Sequence, residues 1–161
     1  MKKIIMALVC LMTVALSVTS CSKDNEDDNI KENLLGRWEL KSVGGVKFNT
    51  MPLFIFHSNN VLSVGERTYS YNISNGNIKI DGSLSSHLER LYNNEIEYLR
   101  INYGNSEDER LLRQQRKEIL DNSIPKKDNG TISGNIRVKK EMYIEFICRN
   151  NRTASFRFER K

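Results

Sequence analysis

Most of this chain alternates between apolar and polar positions. From Gly36 to Val43, Trp38, Leu40 and Ser42 fall on one face and Arg37, Glu39, Lys41 and Val43 on the other, the period of a strand with one wet side. Phe54-Ile55-Phe56 and Val61-Leu62-Ser63-Val64 flank His57-Ser58-Asn59-Asn60 as a hairpin, with Pro52 setting the start of its first strand. Tyr69, Tyr71 and Ile73 alternate up to Asn75-Gly76, whose two positive φ angles suit a type I′ turn into Ile78-Lys79-Ile80. Leu99, Ile101 and Tyr103 alternate in turn and predict a strand over Glu95 to Tyr103. After the turn at Asp128-Asn129-Gly130 come Ile132 and Ile136-Arg137-Val138. The chain closes with Met142 to Arg149 and Thr153 to Arg160, a tight hairpin with Phe156 and Phe158 inward.

Two segments break the alternation. Leu84, Leu88 and Leu91 recur at helical spacing, and Ser86-His87-Leu88-Glu89 has the form of a capping box, which predicts a short helix over Ser83 to Asn94. Ser106-Glu107-Asp108-Glu109 is a stronger capping box. It opens a helix through Leu120, with acids in the first turn, bases behind them and Pro125 blocking continuation. Leu111, Leu112, Gln115, Ile119 and Leu120 are its candidate buried stripe, and its expected role is a lid or an outer brace.

The N-terminal segment has a different logic. Lys2-Lys3 precedes an apolar run from Ile4 that is short of the roughly 20 residues of a membrane span and reads as a secretory signal over residues 1–20. Val18-Thr19-Ser20-Cys21 resembles a bacterial lipobox, which implies a diacylated Cys21 as the mature N-terminus and membrane anchor. The stretch from Ser22 to Asn29 holds no apolar residue, and composition predicts a disordered acidic tether over 21–32. Residues 33–161 then form one domain, long enough for one core and too short for two. A lysine followed by acids after the lipidated cysteine resembles the export signal of Bacteroidetes surface lipoproteins. The implied location is the outer membrane, with exposure at the cell surface as one option.

Charge sharpens this picture a little. The whole chain carries 25 bases and 20 acids, and the part from Asn33 onward carries 21 and 15, a net of +6. Eight of those bases, against three acids, lie from Arg137 to the end. Such a strand face suits acidic proteins, glycans or headgroups, while a plain solvated face is the commoner outcome. Nucleic acid is not expected as a partner, because no binding module is present and the compartment is wrong.

The search for chemistry returns little. Once Cys10 leaves with the signal and Cys21 is lipidated, Cys148 is the remaining thiol, on the face of Met142, Ile144 and Phe146, so no internal disulfide is expected. His57 and His87 lack metal-ligand spacing, and no nucleophile elbow or phosphate loop occurs. Glu95 and Glu97, on one face of their predicted strand, are the nearest approach to an acid and base pair. No catalytic residue, metal or cofactor is expected, and the chain does not read as an enzyme.

Gly36-Arg37-Trp38, opening an alternating strand, resembles the first strand of lipocalin-like barrels, and with the lipobox the chain is similar to the lipocalin-like lipoproteins of the Bacteroidetes. The expected fold is mainly β: a small antiparallel lipocalin-like β-barrel of about eight to nine strands with one inserted α-helix. The resemblance implies that first and last strands pair, and Arg160 is expected on the Trp38 ring as the barrel closure. It also implies a small amphipathic ligand, for which Phe54, Phe56, Tyr69, Tyr71, Met142, Ile144 and Phe146 are the candidate wall. The alternative is a protein-interaction module, such as an envelope inhibitor or immunity lipoprotein, working through the basic outer face.

Overall fold

The computed structural model describes residues 22–161; the signal segment and Cys21 lie outside the described residues. Nine strands form one antiparallel sheet: β1 (Gly36–Val43), β2 (Val46–Lys47), β3 (Leu53–Phe56), β4 (Val61–Val64), β5 (Arg67–Ser74), β6 (Asn77–Asp81), β7 (Thr131–Val138), β8 (Glu141–Ile147) and β9 (Thr153–Arg160). Because β1 pairs with both β3 and β9, eight strands close into a barrel and β2 is an extra strand on β1. Three helices accompany it among the described residues: α1 (Ser22–Leu34), α2 (Ser83–Asn102) and α3 (Glu107–Asn122).

The Gly-x-Trp motif works as a corner. Gly36 has φ of +120°, a conformation open to glycine, and two residues later Trp38 is fully buried. The alternation of β1 then slips. Its register against β9 shifts between Leu40 and Ser42, so Val43, expected outside, is fully buried while Ser42 is not. A bulge puts two residues opposite one and reverses the facing of everything after it, which no period-two reading contains. At the next hairpin Asn75 and Gly76 both have positive φ, 52° and 69°, as the Asn-Gly pair requires.

Antiparallel alternation fixes two ends. α1 lies at the end where β1 begins and β9 finishes, and it covers the β5–β6 turn there. Asp27 accepts backbone N–H groups from Asn75 (2.7 Å) and Gly76 (2.8 Å), Ile30 packs on the core and Leu34 is fully buried. This corrects the expected disordered tether: α1 begins at Ser22, and the acid that composition reads as solvated is an acceptor for a turn 48 residues away. The two inserted helices occupy the β6–β7 connection at the opposite end, correcting the expectation of one.

α2 replaces both the short helix over 83–94 and the strand over 95–103. Its buried side is Leu84, Leu88, Tyr92, Glu95 and Leu99, a continuous helical stripe in which one place is held by a carboxylate, so apolar periodicity loses it there. The box at Ser86 and Glu89 does not cap it: the N-cap is Gly82, and Asp81 accepts from the Ser83 N–H and hydroxyl at 2.8 and 2.7 Å. The box at Ser106 and Glu109 does form, with both reciprocal contacts present. Of α3's expected stripe Leu120 alone is buried, and Leu111, Leu112 and Ile119 remain 51, 50 and 42% exposed. α3 packs mainly on α2 and β2 and reaches the core through Leu120.

Candidate functional site

The barrel interior is the first place to look, and it is filled. Phe54, Phe56, Tyr69, Tyr71, Met142, Ile144 and Phe146 all point inward, each at most 5% exposed and part of one continuous core. They meet as edge-to-face pairs. Phe54 lies on Phe158 (5.0 Å between centroids), Phe56 on Tyr71 (5.3 Å) and Phe146 on Phe156 (5.0 Å). Tyr71 spends its hydroxyl on the His57 carbonyl at 3.0 Å, and Tyr69 spends its own on His87 Nδ1 at 2.6 Å. The alternating aromatics therefore build a packed core, and the tyrosine hydroxyls already have partners.

The end near α1 is closed by the Trp38 and Arg160 pair. These are direct cross-strand neighbours, and the Arg160 guanidinium sits 4.9 Å from the Trp38 ring centroid. Arg160 also donates to the carbonyls of Asn33 (2.5 Å) and Leu35 (3.3 Å), where a cation suits the C-terminal end of α1. The indole Nε1–H donates to the Leu34 carbonyl at 2.7 Å.

α2 covers the other end. Phe48 and Tyr92 pack with centroids 5.9 Å apart, and Ser85 donates to the Pro125 carbonyl at 2.8 Å. Glu95, expected on a strand with Glu97, is fully buried on α2, whereas Glu97 is an exposed partner of Arg100. Glu95 Oε1 accepts from Asn49 N (2.9 Å) and Nδ2 (2.8 Å), and Oε2 accepts from Thr50 N (3.0 Å) and Oγ1 (2.8 Å). With four donors spent on it, this carboxylate holds the β2–β3 connection. Burial, then Arg90 and Arg67, hold His87 below the usual imidazole range. The Tyr92 hydroxyl is buried with no hydrogen-bond partner among the described residues.

Part of the basic outer face is paired with acids of the same domain. Arg137 pairs with Glu145 (2.6 Å), Arg149 with Glu89 (3.2 Å), and Arg157 with Glu141 (2.5 Å) and Glu159 (2.8 Å). Cross-strand placement brings Arg137 to Glu145 and Arg157 to Glu141, while Arg149 reaches Glu89 on α2 and Glu159 lies on the same strand as Arg157; composition alone counts these bases as surplus. Lys139 and Lys140, at the β7–β8 turn, border an open hollow of about 720 Å³ with Arg137, Glu141 and Tyr143.

Exposed apolar residues collect instead on the helical end. Of eight large ones among the described residues, Tyr98, Ile101, Tyr103, Leu111, Leu112 and Ile119 lie on α2, α3 or their connection. Between these helices is a cleft of about 270 Å³. Leu99 and Tyr103 supply one wall; Glu109, Leu112, Arg113 and Arg116, at i, i+3, i+4 and i+7 along α3, supply the other, and Asn49 closes it from the loop that Glu95 holds. Periodicity places Leu99 and Tyr103 on a strand and Leu112 in a buried stripe, so it does not bring these residues together. The signal that was present is the polar α3 helix carrying more leucine than it buries.

The described residues contain no grouping of His, Cys, Asp and Glu able to hold a metal ion. Cys148 is buried, and that burial pushes its thiol up, away from nucleophilic use. Compared with known protein families, curated proteins and solved structures, the chain matches none.

Proposed function

We propose that the chain is an envelope lipoprotein, anchored through Cys21 at the outer membrane, that binds a small amphipathic molecule in the α2–α3 cleft and uses its barrel as a scaffold. The single observation that carries this reading is the cleft itself: apolar Leu99, Tyr103 and Leu112 beside Arg113 and Arg116, on a molecule whose barrel interior is occupied by its own side chains. Its volume of about 270 Å³ is near the lower limit of ligand sites, which start at roughly 300 Å³. A single short tail suits such a space better than a polycyclic or haem-like molecule. The lipocalin-like resemblance of the sequence is in keeping with ligand carriage.

The test is thermal unfolding of residues 22–161 against single-tail amphiphiles below their micelle concentrations, since a ligand that binds the folded state alone raises its stability. Stabilisation that Leu112→Gln removes supports the cleft; stabilisation untouched by Leu112→Gln, or none by any such compound, refutes it.

A second reading has its own observation. Ile101, 67% exposed, and Leu111 and Ile119 leave apolar surface on the helical end beyond the cleft lining. That end lies opposite α1, the geometry of a protein-interaction surface turned away from the N-terminal helix.

A further inference from the structure

We infer that the molecule held in this cleft is a monoanion whose head group is received by Arg116; the inference rests on the cleft being the ligand site. The argument is an accounting of charge along one face of α3. Glu109 is committed to the helix cap, accepting from the Ser106 hydroxyl (2.7 Å) and N–H (3.0 Å), and those two contacts, followed by the charge of Arg113, lower its pKa. Arg113 is committed to the connection between the helices. It donates to the Tyr103 carbonyl (3.1 Å), the Gly104 carbonyl (2.7 Å) and Asn105 Oδ1 (3.3 Å). Its position is set by backbone and its charge is balanced by Glu109 one turn away.

Arg116 is different. It lines the same cleft and is partly buried, yet it makes no hydrogen bond or ion pair with any described residue. The nearby acids of α3 are otherwise engaged or placed: Glu107 pairs with Arg110 (2.5 Å) and Asp121 with Lys117 (2.6 Å), while Glu118, two residues on, faces another side of the helix. Two guanidinium groups and one carboxylate therefore line the cleft, a surplus of one positive charge. A guanidinium drawn partly out of water without an acceptor gains most from a planar anion that accepts two of its N–H groups. Next to it Leu99, Leu112 and the Tyr103 ring offer nothing polar to a tail. A short-chain carboxylate has the matching chemistry: one charge at the Arg116 end and a hydrocarbon chain along the leucines.

Three probes with the same ten-carbon tail separate charge from tail: decanoate, decanol and decyltrimethylammonium, titrated into residues 22–161, which contain the whole barrel and all three helices. Decanoate should bind at least about tenfold more tightly than decanol, the yield expected of a charge-assisted hydrogen bond at a partly exposed site, and the ammonium should bind most weakly. Arg116→Gln should remove that preference. Lys139→Gln, at the opposite end of the barrel, should leave all three unchanged. Equal binding of decanoate and decanol, or a preference for decanoate that survives Arg116→Gln, overturns the anion assignment while leaving the cleft as a tail site. Failure of all three probes to bind, or binding that Leu112→Gln does not weaken, removes the cleft reading and this inference with it.

Discussion

Glu95 accepts both the backbone N–H and the hydroxyl of Thr50, at 3.0 and 2.8 Å, from a position with no solvent exposure. With the matching pair from Asn49, this makes the carboxylate the pin that fastens α2 to the β2–β3 connection over one end of the barrel. Glu95→Gln presents an amide NH₂ to donors that need an acceptor. It should lower stability by about 2–3 kcal/mol, the range for losing hydrogen bonds to a charged group. Urea unfolding measures it, and Thr50→Val, which removes one donor, should cost about 1 kcal/mol. A neutral Glu95→Gln would show that α2 is held by its apolar stripe alone.

Trp38 and Arg160 should be energetically coupled. Their contact, 4.9 Å from guanidinium carbon to ring centroid, is at the end closed by α1. A double-mutant cycle of Trp38→Leu and Arg160→Met should return a coupling of about 0.5–2 kcal/mol. Trp38→Phe tests a separate element: it keeps a ring for Arg160 but frees the Leu34 carbonyl, and should cost about 1 kcal/mol or more.

The filled interior makes a prediction opposite to that of a ligand cavity. Phe56 and Phe146 are each 2% exposed and meet aromatic partners at 5.3 and 5.0 Å. Phe56→Ala and Phe146→Ala should each cost about 3–5 kcal/mol. If either were tolerated with little loss in denaturant unfolding, the interior would have to be looser than this packing.

Acid should loosen the outer ladder of charges. Lys161 and then Lys41 lower the pKa of Glu39, and Arg157 and then Tyr143 lower that of Glu141, in each case from 4.5 to about 2. A carboxylate with a depressed folded-state pKa contributes stability that is present above its unfolded value and lost as pH falls toward its folded one. The loss therefore falls between pH 4.5 and about 2. Glu39→Gln with Glu141→Gln should flatten unfolding midpoints across that window, and 1 M salt should flatten them less because the side chains are part-covered. An unchanged slope in the double variant would assign the acid response to other groups.

The proposed anchor has a direct test. Cys21→Ser should shift the protein from the membrane fraction to the soluble envelope fraction, as scored by fractionation. Retention equal to that of the parent would remove the lipoprotein reading.

Sequence alone determined the local grammar of this protein. Period two located eight strands because side chains of a strand must alternate between core and water, and Asn75-Gly76 and Ser106 with Glu109 specified their turn and cap because those geometries are met by a few residue types within a few positions. Trp38 was legible as an inward residue for the same reason. Tertiary structure decided the rest. A bulge in β1 turned Val43 inward; the Asn75-Gly76 turn gave Asp27 a partner and α1 a place to dock; Asn49 and Thr50 gave Glu95 four donors, and so made one long helix of a segment whose apolar pattern breaks at that carboxylate. Whether aromatic faces enclose a cavity or close on one another, and whether basic residues face acids across a ladder, depends on distances between strands far apart in the chain. Periodicity carries the direction of a side chain but not what stands opposite it, and burial and charge pairing are properties of what stands opposite.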